Sequence, residues 1–166
     1  MGVIFTMSLG INNVSKLQES QVRTSESGRN ALMRVASEIR QAQRLDVNNN
    51  NVFPSATLKY RLAQDTDGKL GNQRTIKADT DDLNRDGITS KQLIIADGNT
   101  VVAVLCNNLC PLTETNADTN GNGRLDRGFY VFNSGGTLSI SIQTQETLAN
   151  GRTVDNVYFV VVRPRN

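Results

Sequence analysis

The sequence predicts an α+β fold in which one long N-terminal spine helix packs on a C-terminal antiparallel β-sheet. Three observations carry this. Residues 3 to about 45 contain no proline, and only Gly10 and Gly28 interrupt a helix-favouring run. Beyond Pro54 the chain changes to short β-like runs separated by Asp, Asn and Gly. Charge changes there too: residues 1–45 carry a net +3 and the remainder −1. The division is therefore a helical segment over 1–45, with an apolar stem at 1–10, and a globular β domain over 46–166.

The helix is read from its periodicity. In "RNALMRVASEIRQAQRL" (29–45), Leu32, Val35, Ile39 and Ala42 recur at steps of three and four, with Arg34, Glu38, Arg40 and Gln41 between them. That spacing places one apolar stripe on a 3.6-residue helix, to be buried against the sheet. A second, narrower stripe is formed by Ile4, Met7, Ile11, Val14 and Leu17. A continuous helix of about 40 residues would be about 60 Å long, more than a small domain can cover. The front must then project or pack against other chains. The Asn run at 48–51 and Pro54 end it.

The strands follow in order. "TLKYRLA" (57–63) and "KQLIIAD" (91–97) come first, and "GNT" turns the second into "VVAVLC" (101–106). "GFYVFN" (128–133) and "TLSISIQTQE" (137–146) flank Gly135-Gly136 as another hairpin. In the latter run Leu138, Ile140 and Ile142 alternate with Ser139, Ser141 and Gln143, so one face is buried. "NVYFVVVRP" (156–164) is the most apolar run, and its composition predicts the centre of the sheet.

Composition narrows the chemistry. The 166 residues suffice for one domain with a real core, but include no His and no Trp. The usual neutral-pH general base and the commonest zinc ligand are therefore missing. Neither Ser nor Lys stands in a nucleophile motif, so no enzyme is expected. A net charge of +2, without aromatic residues interleaved with basic ones, predicts no nucleic-acid partner. Cys106 and Cys110 form a C-x3-C that lacks the further ligands of a zinc site and is one residue too long for a redox C-x-x-C. A small disulfide or two free thiols remain; the disulfide is the expectation, and with it an oxidising, extracytoplasmic setting.

The phrasing of the helix and the tail resembles that of type IV pilin-like proteins, in particular minor pilins and J-type minor pseudopilins of type II secretion. "SGRNALMRVASEIRQAQRL" (27–45) is similar to the second half of their spine helix, which ends in an "LRQA"-like phrase. "GGTLSISIQTQETLANGRTVDNVYFVVVRPRN" (135–166) resembles their two closing strands, down to the Arg165-Asn166 ending. The resemblance implies a filament subunit that assembles with other pilin or pseudopilin subunits through the Ile4/Met7/Ile11/Val14/Leu17 face. It also implies anchoring in the inner membrane before assembly, through a segment of which residues 1–10 would be the last turns. "FTMSL" (5–9) mimics the family's mature start, but Leu9 stands where the family has Glu, and "GINN" follows instead of an apolar run.

Two loops carry metal-ligand spacing. Asp82, Asn84 and Asp86 precede Gly87, and Asp118, Asn120 and Asn122 precede Gly123, with Arg124 and Asp126 at the next ligand positions. A hard cation needs six to eight converging oxygens, and the glycine permits the tight bend. The twelfth position, ordinarily a bidentate Glu, is Leu93 in one and Phe129 in the other. A weak Ca2+ site is the expectation, against the plainer alternative of Asx-turn surface loops. The rival to the filament subunit is a free-standing secreted calcium-binding or adhesive module.

Overall fold

The computed structural model describes residues 22, 25–45, 56–63, 70–110, 128–148 and 151–164. Helix α1 spans 25–41. It is followed by β1 (Ala42–Leu45), β2 (Thr57–Ala63), β3 (Leu70–Ala78), β4 (Leu93–Asp97), β5 (Thr100–Cys106), β6 (Phe129–Ser134), β7 (Thr137–Thr147) and β8 (Thr153–Val162). β1 to β5 form one antiparallel sheet in sequence order, and β6 to β8 a second.

This corrects the predicted class. The chain is mostly β, in two antiparallel sheets, and α1 is the single, short helix among the described residues; no long spine helix packs on one sheet. The physical reason lies in the strands. Leu58, Tyr60, Ile76, Leu93 and Ile95 line the first sheet, and Phe129, Val131, Leu138, Ile140 and Ile142 the second. These two apolar faces join one core, which takes in the buried stripe of α1.

Three local expectations also change. Ala42–Leu45 is not the last turn of the helix but an edge strand, with Ala42 opposite Leu62 and Leu45 opposite Tyr60. Ladder bonds to β2 replace those a further helical turn would have made. β3 was not anticipated, because "LGNQRTIKA" buries only Ile76 and Ala78 and shows no apolar alternation. β8, expected at a sheet centre, lies at the edge of the second sheet.

Turn chemistry sets the hairpins. Asp97 pairs with Thr100 across Gly98-Asn99, with Gly98 at φ 58°, and Ser134 pairs with Thr137 across Gly135-Gly136, at φ 57° and 79°. Both are two-residue turns whose positive φ values match the twist of the flanking strands.

Helix α1 spans the two sheets. Val35 and Ile39 are fully buried, Leu32 nearly so, and each such side chain stabilises the fold by roughly 1.5–3 kcal/mol. Toward its start, Gly28 sits against the ring of Tyr158 on β8, where a Cβ would come within 2.2 Å of Cε2. Toward its end, Glu38 reaches the first sheet: Tyr60 Oη donates to its Oε2 at 2.9 Å, and Arg74 Nη1 lies 3.6 Å from the same oxygen. Arg34, one turn back, pairs with Oε1 at 2.9 Å. Among the described residues, no helix is long and apolar enough to cross a membrane.

Candidate functional site

The best-organised polar cluster lies in the loop between β3 and β4. Its neck is clamped by main-chain bonds: Asp79 N donates to Gln92 O at 2.9 Å and Ser90 N to Asp79 O at 2.7 Å. The buried Asp79 carboxylate accepts the Leu83 N–H through both oxygens at 3.0 Å. Asp82 takes the N–H groups of Asp86 at 2.9 Å and Gly87 at 3.1 Å. Gly87, at φ 81°, supplies the left-handed bend that aims its N–H back at Asp82; Arg85 adopts the same region at φ 59°.

Asp86 is the centre of the cluster. Its Oδ1 accepts the Ile88 N–H at 2.9 Å, and its Oδ2 accepts Asn84 Nδ2 at 2.9 Å and the amide of Gln92. The Ile88 N–H, and then the Gln92 and Asn84 amides, hold its carboxyl below the usual carboxylate range. Gln92 is buried, receives Asn84 Nδ2 on Oε1 at 3.0 Å and donates to Asn107 Oδ1 at 3.1 Å. The network thus ties the loop to the residue just after β5.

The sequence brought Asp82, Asn84 and Asp86 together correctly as one loop, and the structure spends their oxygens mainly on the loop's own donors. These oxygens are the groups through which a cation would be held. Among the described residues, however, no cluster of three or more His, Cys, Asp or Glu side chains is close enough to hold a metal ion. Gln92 was missed. Its only sequence signal is a polar residue beside "LIIAD", and such residues more often face solvent. The second loop, Asp118, Asn120, Asn122, Arg124 and Asp126, lies outside the described residues, as do Ile4, Met7, Ile11, Val14 and Leu17.

The expected disulfide is not formed: no bond joins the sulfurs of Cys106 and Cys110. Cys106 ends β5 opposite Leu93 and is buried, and burial pushes its thiol up to about 11. The intervening residues link the sheets instead. Leu109 N donates to Lys91 O and Cys110 N to Gln143 O, both at 2.8 Å, and Leu109 bridges Thr144 of β7. The backbone of "CNNLC" therefore does the bracing that a disulfide was expected to do. Comparison with known protein families, curated proteins and solved structures gives no match, so what this chain does has to be argued from its own residues.

Proposed function

We propose that the chain is a structural subunit of an extracytoplasmic filament, of the minor pilin or pseudopilin kind that serves type II secretion or type IV pilus machinery. Its work is assembly with other such subunits, not catalysis. The observation that supports this reading best is the seating of α1. The Leu32/Val35/Ile39 face is used up within the subunit, while Arg40 and Gln41 on the other side stay in solvent. The second apolar stripe, Ile4, Met7, Ile11, Val14 and Leu17, precedes this helix in sequence and is not needed by that face. In this reading it is offered to neighbouring subunits, where burial removes apolar surface from water. Before assembly the segment ahead of it anchors the subunit in the inner membrane, as the resemblance implies.

A photo-crosslinking residue in place of Val14, introduced in the source cells, tests this. Adducts with other filament subunits are expected there and not from the same probe at Arg40. Equal labelling from both positions, or adducts only with unrelated proteins, would overturn the reading.

One observation favours the second reading, a secreted calcium-binding module: the 82–87 loop folds around its own carboxylates, with Gly87 at the bend. A thermal-shift titration separates the two. Calcium binding requires a Tm rise with millimolar Ca2+ that chelator reverses and Asp82→Ala or Asp118→Ala diminishes. A Tm indifferent to Ca2+ leaves the loop as a brace.

A further inference from the structure

We propose that the outward face of α1 is a self-complementary docking surface, on which a second copy of this chain lays its own α1, antiparallel, about a two-fold axis at Met33. The inference goes beyond the filament reading and does not rest on it. Adducts from a probe at Arg40 would be with this chain itself, not with other filament subunits.

Leu32, Val35 and Ile39 give α1 its core-facing side. With 3.6 residues to the turn, Glu26, Arg29, Met33, Ser37 and Arg40 fall within about 40° of one line on the side turned away from the core. Glu26, Arg29, Met33 and Arg40 are all exposed, Met33 to 62%, and Ser37 is half-buried. One methionine in water is ordinary on a protein surface. What selects a partner is the charge placed around it.

Glu26 lies seven residues before Met33 and Arg40 seven after, so the two opposite charges sit about 10 Å to either side along the same line. When two copies of α1 lie antiparallel with their Met33 side chains in contact, Glu26 of each stands against Arg40 of the other. One axis makes both ion pairs, as an isologous interface requires. Arg29 stands against Ser37, the smallest side chain of the line, which leaves room for the guanidinium. Met33 meets its own copy, and its unbranched thioether chain adapts to the contact.

Other arrangements lose this match. Parallel helices set Glu26, Arg29 and Arg40 each against itself. An axis moved one turn back, to Arg29, stacks that guanidinium on its copy. An axis moved one turn on, to Ser37, sets Arg40 against Arg34 and leaves Glu26 beyond the end of the other helix. Like charges brought together in this way are destabilising. A uniformly acidic partner would suit Arg29 and Arg40 but be repelled by Glu26. A second copy of this chain carries both signs at the required spacing. The contact is narrow and mostly polar, so the pair is weak and charge sets its register.

Sedimentation of the full chain from micromolar to millimolar concentration tests the proposal. The wild type should move from the 18.2 kDa monomer toward twice that mass. Glu26→Arg and Arg40→Glu should each weaken pairing about tenfold, because each reversal acts twice across the axis. The double exchange Glu26→Arg/Arg40→Glu should restore it. Met33→Glu, which sets two carboxylates together at the axis, should hold the chain monomeric. All three positions lie outside the core, and circular dichroism of each variant checks that the fold is kept. A wild type that stays monomeric at millimolar concentration overturns the proposal. So does a dimer indifferent to Met33→Glu or to the single reversals, which would be built on another surface, or a double exchange that fails to restore pairing.

Discussion

Glu38 is a carboxylate in the core interface between α1 and the first sheet, and removing it gives the sharpest test of how the helix is held. Its side chain is 7% exposed, and three groups converge on it. The Tyr60 hydroxyl, itself fully buried, donates at 2.9 Å, and a hydrogen bond to a charged acceptor is worth about 1.5–3 kcal/mol. Arg34, at 2.9 Å but 62% exposed, adds about 0.3–0.5 kcal/mol as an i,i+4 pair in water. Arg74, at 3.6 Å and 31% exposed, adds about 0.2–1 kcal/mol. Glu38→Ala should therefore cost about 2–4 kcal/mol. Glu38→Gln, which keeps an acceptor for Tyr60, should cost about 1 kcal/mol. Urea unfolding followed by far-ultraviolet circular dichroism measures both, and Tyr60→Phe with the double variant Glu38→Ala/Tyr60→Phe closes a cycle. Its coupling energy should be about 1–2 kcal/mol. Additive single variants, or a Glu38→Ala loss below about 0.5 kcal/mol, would refute the assignment of this contact as a helix anchor.

The remaining predictions concern separate parts of the molecule. Burial, and then the negative charge of Glu38, raise the Tyr60 hydroxyl well above its ordinary 10.0. Its contribution to stability is therefore complete below pH 10 and is lost as pH rises through the folded value; Tyr60→Phe should flatten that alkaline loss in unfolding scans. Gly28→Ala places a methyl group in the Tyr158 ring and should destabilise by about 1–3 kcal/mol, largely recovered when Tyr158 is shortened to Val; an unchanged midpoint in Gly28→Ala would mean that the helix does not rest on that ring. At pH 8 the Cys106 thiol, pushed up to about 11, should alkylate about two orders of magnitude more slowly than an ordinary thiol, and Cys110 should react first until urea is added. Equal rates in native buffer would contradict the burial. Asp86 titrates below the usual carboxylate value, so its support for the loop is present above pH 4 and lost as pH falls through the folded value. Amide shifts of Gly87 and Ile88 should move in that acid range and stay still in Asp86→Asn.

Much of the fold was legible because local chemistry acts locally. Gly98-Asn99 and Gly135-Gly136 marked the two tight hairpins, since only residues tolerant of positive φ complete such turns. Leu138, Ile140 and Ile142 announced a half-buried strand, and all three are buried. The polar loop was legible as Asp82, Asn84 and Asp86, but not its closure by Gln92 and Asn107, which come from other segments. The C-x3-C spacing hinted at a covalent brace, yet main-chain bonds from Leu109 and Cys110 hold the sheets together with no bond between the two sulfurs.

The sequence by itself determined where the strands other than β3 fall after residue 56, where the two tight hairpins turn, and which face of 29–42 is apolar. Periodicity records which side chains must leave water. It does not record what they meet there. Only the tertiary structure decided that the strands divide into two sheets and that α1 gives way to a strand at Ala42–Leu45, which joins one of them. It alone buried Glu38, because the groups of the first sheet that hold its carboxylate, the Tyr60 hydroxyl and the Arg74 guanidinium, are distant in sequence. It also placed the most apolar strand, β8, at an edge, where composition predicted a centre. An apolar alternation records that one face of a strand leaves water, and it is the same whether one strand or two flank it.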